Sequence, residues 1–334
     1  MEDIFIPKSA AEDALVKPLQ TVTIITSDKD MMETILCEGY GLAFTGWRSP
    51  NPDSQAGLNR YLGFEPSEQW QYARFGKSGS GANVDVRVIQ LERDTPRVRP
   101  AHEGLYKGGA TLSFPINDLY AHETWMRALG VETTIGVKEM DFTAPTGETY
   151  TSAEIVYKAP DGVFVMGVKR PDIFVPVGPV DDETGLGGPA YSARCVTETS
   201  RVLSFFETVL GFEIRRDVEF TVGERSAINM PEGTVERFIQ GFAPGSASGY
   251  VVLMDHGEAT KFGPAPSLGP PHRGIVMWTF ETSDADEVYR RATAFGCEVK
   301  WGPENSDTDF HKGGRYLQIV DPDGFTIEVI ESQT

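Results

Sequence analysis

Hydrophobic periodicity gives the first organisation of this chain. In VLSFFETVLG (202–211), Val202, Phe205, Phe206, Val209 and Leu210 recur at i, i+3, i+4, i+7 and i+8, which is one apolar face of a helix. Gly211 follows as a left-handed stop. Three further segments share this design, 28–41, 118–130 and 284–296, each closing on a glycine, and Asp284 with Glu287 gives the last a start resembling a capping box. An extended apolar run precedes every one of them, at 21–25, 111–114, 192–196 and 275–280. The pattern therefore predicts four units that each begin strand, helix, strand.

The stop glycines Gly41, Gly130, Gly211 and Gly296 recur at near-equal spacing within each half and again between halves, the mark of a twice-duplicated unit. The second unit of each half also ends on a matching turn, APDG (159–162) and DPDG (321–324). In both, Pro presets φ and Gly supplies positive φ ahead of an alternating strand. A hairpin is thus expected to close each unit. A Pro-, Gly- and acid-rich stretch at 173–188 reads as a linker. The expected organisation is an N-terminal extension (1–18), a first two-unit domain (19–172), the linker, and a second two-unit domain (189–334) carrying the active cup, all in an α+β fold of four βαβββ units. Loops at 93–107 and 256–272 separate the units inside each half.

Composition narrows the function. With 334 residues and 40% apolar content the chain can bury one large or two ordinary cores. Lys and Arg number 30 against 49 Asp and Glu, a net charge of −19 that opposes binding to nucleic acid or an anionic membrane. The acidic start and the shortness of apolar runs such as GYVVLM (249–254) lead us to expect a cytoplasmic protein acting on a small molecule. Self-association into a homo-oligomer is left open. Cys37, Cys195 and Cys297 are odd in number and widely spaced, which supports neither a disulfide framework nor a cysteine zinc site.

Four βαβββ units, helices closing as LGFE (210–213) and LGVE (129–132), and a terminal DPDGFTIEV (321–329) together resemble the vicinal-oxygen-chelate superfamily from about residue 19 to residue 331. It includes glyoxalases, antibiotic-binding resistance proteins and extradiol ring-cleaving dioxygenases. Four units in one chain look most like the two-domain extradiol enzymes, and the resemblance implies an active cup in the second half. Because the superfamily hosts several chemistries, the fold alone does not select one.

Strand parity places the candidate residues. In the terminal strand Phe325, Ile327 and Val329 form the face that packs beneath a helix, so Glu328 points into the concave face. In the strand before the fourth helix, Met277, Thr279 and Glu281 take the concave side. Glu281 has a second reading as a solvated strand-end residue. HKGGRYLQIVDPDGFTIE (311–328) is similar to the extradiol signature, whose His that stands behind the metal ligands and whose metal-binding Glu fall on His311 and Glu328 and whose Tyr is replaced by Gln318. The two His ligands that the resemblance implies would stand where this chain has Tyr191 or Ser192, and Met277. We therefore expect no conventional metal centre. Iron or manganese on Glu328 with displaced ligands is the alternative.

What remains is equipment for proton transfer. A desolvated Glu328, its pKa raised toward neutrality, is expected as general base, with His311 beside it and Tyr191 or Tyr316 donating to a developing oxyanion. Gln318, Met277, Tyr316 and Glu281 are expected to contact substrate, as is Arg194 if its register turns it inward. Two registers are open for that strand, one burying Ser192 and Arg194 in the cup and one burying Tyr191, Ala193 and Cys195. Cys195 reads as a small buried strand residue, since no neighbouring base is evident. FGKSGSG (75–81) fails as a phosphate loop because Gln71 replaces the upstream glycine, so it reads as a hairpin tip. GSASG (245–249) lacks a nucleophile at Ala247. Trp125 and Met126 read as core, and His102 and His122 as solvated.

These readings converge on a lyase or isomerase acting on an oxygenated metabolite, an aromatic catabolite among the expected candidates, without metal. The alternatives are an extradiol-type dioxygenase or glyoxalase-like metalloenzyme with displaced ligands, and a non-catalytic protein that sequesters a small molecule for resistance.

Overall fold

A computed structural model describes residues 4–77, 84–143, 147–172, 174–306, 308–311 and 313–332. All four units are present. Unit 1 comprises β1 (Val16–Thr26), α1 (Lys29–Glu33) running into a π-helical turn at Thr34–Gly39, β2 (Ala43–Phe44), α2 (Pro52–Tyr61), β3 (Trp70–Gly76) and β4 (Asp85–Leu91). Unit 2 comprises β5 (Gly108–Pro115), α3 (Leu119–Ala128), β6 (Lys138–Thr143), β7 (Thr149–Lys158) and β8 (Phe164–Lys169). Unit 3 follows with β9 (Tyr191–Val196), α4 (Thr199–Phe205) and its π-helical turn Phe206–Leu210, β10 (Glu213–Thr221), β11 (Val235–Phe242) and β12 (Tyr250–Asp255). Unit 4 has β13 (Gly274–Thr282), α5 (Ala285–Phe295), β14 (Glu298–Asn305), β15 (Arg315–Val320) and β16 (Thr326–Glu331).

Local chemistry explains the boundaries. Asp28, Asp118 and Asp284 each accept a backbone N–H three residues on, capping α1, α3 and α5. Gly41, Gly130, Gly211 and Gly296 all adopt positive φ, so the stops work as the sequence predicts. The element that periodicity missed is α2, which Asn51 caps and Pro52 begins. Of the glycine-rich segment 75–81, residues 78–81 lie outside the described residues, as do Ile173 at the start of the linker and Lys312 in the signature.

The pairing of units departs from their order in the chain. In one sixteen-strand sheet, counted among the described residues, β1 pairs antiparallel with β13 and β5 with β9, while β5 and β13 share only the Ile275–Gly109 pair. Units 1 and 4 thus form one cup, and units 2 and 3 another. The expected cup from the two units of the second half is not what the strands build, although the 173–188 segment does link the halves. Turn carboxylates tie the cups together. Asp161, at the turn closing unit 2, takes hydrogen bonds from Thr26 and Ser27 at the end of β1 and salt bridges from Arg97 and Arg273. Asp323 does the same for Thr197 and Glu198 at the end of β9, paired with Lys107. Helices lie over the convex face, where Trp278, Phe280, Phe325, Ile327 and Val329 join Val202, Phe205, Phe206 and Val209 in the main core.

The N-terminal extension is shorter than expected, since β1 begins at Val16, and Phe5 reaches across to pack edge-on against Phe242 and Tyr250 of unit 3.

Candidate functional site

Glu328 faces the concave side of the first cup, and it does not stand alone there. Arg87 on β4 donates through Nη2 to both carboxylate oxygens, at 3.1 and 2.9 Å, and neither side chain is exposed. The two positions are equivalents. Arg87 lies opposite Thr23 in the parallel β1–β4 pair, and Glu328 opposite Thr279 in the parallel β13–β16 pair; each hydrogen-bonds the threonine beside it. The duplicated scaffold therefore brings a cation and an anion together at its pseudo-symmetric centre. Tyr61, delivered by α2, adds a bond to Glu328 at 2.9 Å, and the Phe310 carbonyl accepts from Arg87 and Arg74 with the Phe310 ring 4.1 Å from the Arg87 guanidinium.

This geometry corrects the expected state of Glu328. Burial alone raises a carboxyl pKa, but Arg87, His311 and the Thr279 hydroxyl outweigh it and hold Glu328 below its ordinary value. His311 does lie beside it, with Nε2 3.9 Å from Oε1, and stacks on Tyr316 at 3.8 Å between ring centres. Its Nδ1 engages Ser306 and Thr308, and burial, assisted by Arg87 and Arg74 against Glu328, lowers its pKa to about 4. Gln318 and Met277 are buried in the same cup and touch each other, the amide donating to the thioether sulfur at 3.8 Å. Helix α2 and Phe310 seal this cup with Leu58, Tyr61, Leu62 and Phe64.

Three expected residues lie elsewhere. Glu281 takes its second reading: at the strand end it pairs with Lys17 at 2.6 Å and with Gln20. Arg194 is fully buried on the convex side, salt-bridged to Asp321 and set over the rings of Trp278 and Phe325, so it cannot anchor a substrate in either cup. Ser192 shares that face, donating to the Thr111 carbonyl and accepting from Trp278 Nε1. The register with Tyr191, Ala193 and Cys195 inward is the one adopted, and it puts Tyr191 in the second cup, away from Glu328. His122 is buried rather than solvated, with Tyr157 and the Gly39 carbonyl as partners. His102 bonds the Ala159 carbonyl.

The second cup holds groups that the sequence reading overlooked. Its floor is apolar and aromatic: Phe164, Met166, Ala193, Val252 and Met254, with Tyr191, Tyr250 and Phe242 in a stack whose ring centres are 4.6 Å apart. Met166 stands where unit 4 has Glu328. The charged group here is Glu154 on β7, half-buried and paired across the strands with Lys138 and Val168. Burial raises its pKa to about 7, Glu236 adds to the rise, and Lys138 opposes it. Glu236, itself buried, lies 3.3 Å from His256 Nε2. Burial lowers the His256 pKa, but the neighbouring Cys195 sulfur and Glu236 carboxyl overcome that and bring it to about 10. Burial and Glu154 together raise the Tyr191 phenol, which donates to Met166 Sδ at 3.4 Å. Gln240 Oε1 and His256 Nδ1 are buried with no hydrogen-bond partner among the described residues.

Comparison with known proteins agrees with this architecture. The model of the Glyoxalase/Bleomycin resistance protein/Dioxygenase superfamily matches residues 189–329. The match is confined to the second half of the chain. Glyoxalase I from Zea mays superposes with a TM-score of 0.63 at 14% identity, covering 96% of this chain and 94% of its own. A "putative dioxygenase" from Bacillus subtilis gives 0.53 at 13% identity, covering 96% and 86%. At such identities the likeness shows the fold of both halves and nothing finer. No curated protein matches the sequence.

The match over residues 189–329 raises the question of a metal, and the donor set of the first cup does not fit one. Both Glu328 oxygens are already engaged, and a divalent ion beside them would also meet the fixed positive charge of Arg87 in a region that water does not screen. Among the described residues, no group of three or more His, Cys, Asp or Glu is placed to hold a metal ion.

Proposed function

We propose that this protein is a small-molecule enzyme of the glyoxalase and dioxygenase-like superfamily, an isomerase or lyase that moves a proton on an oxygenated aromatic metabolite in the second cup. Glu154 acts as the base. The observation behind this reading is a half-buried carboxyl on an apolar concave wall, with a pKa of about 7, where uptake and release of a proton are nearly balanced at neutral pH. A carboxylate held ionised by an arginine, as Glu328 is, makes a poor proton shuttle. Around Glu154 the cup offers a flat aromatic stack for an aryl ring, Tyr191 as a neutral donor, and the free acceptor of Gln240.

Each cup is complete within one chain, so the site needs no second subunit. Action in the cytoplasm is part of the proposal and fits the net charge of −19. No helix among the described residues is long and apolar enough to cross a membrane.

Solvent deuterium exchange tests the reading. Phenyl ketones and aryl-substituted enols that raise the unfolding temperature should exchange the hydrogen beside the carbonyl faster with protein than without, and Glu154→Gln should abolish this. Exchange that persists in Glu154→Gln refutes the base assignment. Ligands that bind equally to both forms with no exchange would support the second reading, a sequestering protein, which the unpartnered polar atoms and aromatic walls also suit.

A further inference from the structure

The second cup holds a cation that no carboxylate answers. Strand β10 presents Arg216 on the concave side, directly opposite Gln240 of β11. Its guanidinium lies 5.4 Å from the ring centre of Phe142 on β6 and 5.5 Å from that of Phe238 on β11, so units 2 and 3 each lay an aromatic face against it. Other arginines drawn into this protein are matched: Arg87 by Glu328, Arg194 by Asp321, Arg99 by the carbonyls of Tyr106 and Glu103, and Arg215, next in sequence, by Glu213 at 2.9 Å. Arg216 has rings and phenols instead. Among the described residues no Asp or Glu lies within ion-pair distance of it; burial lowers its pKa, and Tyr150, Tyr250 and the like charge of Arg170 act on it next. A half-buried guanidinium gives up much of its hydration, and without a counter-anion that loss is not made good. The facing Gln240 Oε1 is buried with no hydrogen-bond partner among the described residues, so a donor fork and a free acceptor share one patch of wall.

The geometry points to Arg216 as the anchor for a carboxylate on the ligand of the second cup, which makes the substrate class an aryl ketone or enol that carries an acid group. This rests on the proton-transfer reading for the aromatic part of the ligand and adds the group at its other end. A guanidinium presents two parallel N–H donors that match a carboxylate, and the two charges attract strongly in a water-poor hollow. The aryl ring lies on the stack of Tyr191, Tyr250 and Phe242, and a hydroxyl or enol O–H donates to Gln240 Oε1. Two other cations of this cup are committed. Arg170 donates to the Val175 carbonyl and packs on the Phe5 and Phe174 rings at 4.3 and 4.6 Å, and Lys138 donates to the carbonyls of Glu224 and Arg225. Arg215 and Arg216 are adjacent in the sequence, and only the register with β11 shows which of them turns inward.

Calorimetric titration of the full chain at neutral pH with β-benzoylpropionate and with its methyl ester tests the anchor. Wild type should bind the acid about tenfold or more tighter than the ester. Arg216→Met should bring the acid down to the level of the ester and leave the ester where it was. Arg216→Lys, which keeps the charge but loses the fork, should fall between. Equal affinity for acid and ester in wild type, or no binding of the acid, overturns the inference, and neither result depends on a variant folding. So does an acid preference that survives in Arg216→Met, or an equal loss of both ligands, which would make Arg216 a clamp between Phe142 and Phe238 and nothing more. Glu154→Gln should keep the preference for the acid while losing deuterium exchange, so the anchor and the base assignment can fail separately.

Discussion

The two cups come from one duplicated unit and treat buried charge in opposite ways. In the first, equivalent strand positions carry Arg87 and Glu328, which neutralise each other while Tyr61, Thr23, Thr279 and the Phe310 carbonyl take up the remaining bonds. In the second, the position of Glu328 is Met166, and the carboxyl has moved to Glu154, with an opposing Lys138 but no guanidinium locked onto it. A buried charge with a full set of partners is fixed in its ionised state and acts as a joint between units. One with too few partners is left near the middle of its titration and becomes useful for chemistry. On the proposed reading the same scaffold yields a sealed joint and a reactive hollow.

If the contrast is real, Glu154→Gln should lower turnover by about 10²- to 10⁴-fold while changing stability little, because the group that it replaces is desolvated and poorly paired. Steady-state kinetics and chemical unfolding of the same preparation check both halves of that statement. Arg87→Met should do the reverse in the first cup, costing about 3–5 kcal/mol of unfolding free energy by stranding Glu328. Exchanging both partners, Arg87→Met with Glu328→Leu, should recover most of the loss, and failure to recover would mean that the pair is more than a joint.

His311 gives a smaller effect with a defined sign. Its pKa is lowered to about 4 in the folded protein from an ordinary 6.5, so the unfolded chain binds its proton first as pH falls. Stability is therefore complete above about 6.5 and lost progressively down to about 4, by about 3 kcal/mol at most. Urea unfolding of His311→Gln should show a flatter pH dependence across that window; an unchanged slope would place the proton elsewhere. His122, also lowered to about 4, contributes equally to both proteins and cancels in the comparison. Smallest of all should be Lys17→Ala, whose half-exposed pair with Glu281 is worth less than about 1 kcal/mol and should leave turnover untouched.

Much of the fold was legible because local signals carry it. Left-handed glycines, aspartate caps and the alternation of Phe325, Ile327 and Val329 each act within a few residues, and the structure keeps them. The inward face of β16 was likewise readable, so Glu328 and His311 do meet. What could not be read was pairing across the chain. Strand parity shows that Glu328 points inward but not that β1 lies beside β13, and without that pairing Arg87 has no reason to be considered. A weak signal existed, since Arg87 interrupts the apolar strand VDVRVIQL (84–91) in the way that Glu328 interrupts its own. Glu154 was hidden similarly: counted back from the matching turns it occupies the place of Tyr316, two positions before the residue equivalent to Gln318. Arg194 misled because buried arginine on a convex face is rare, and here Asp321, Trp278 and Phe325 make it tolerable.

The most direct test is a carbon NMR titration of the glutamate carboxyl groups, assigned with Glu154→Gln and Glu328→Gln. The account predicts one carboxyl changing protonation near pH 7, absent from Glu154→Gln, and another still ionised below the ordinary glutamate value of 4.5, absent from Glu328→Gln. A neutral-range titration belonging to Glu328, with Glu154 titrating as an ordinary surface acid, would reverse the roles of the two cups.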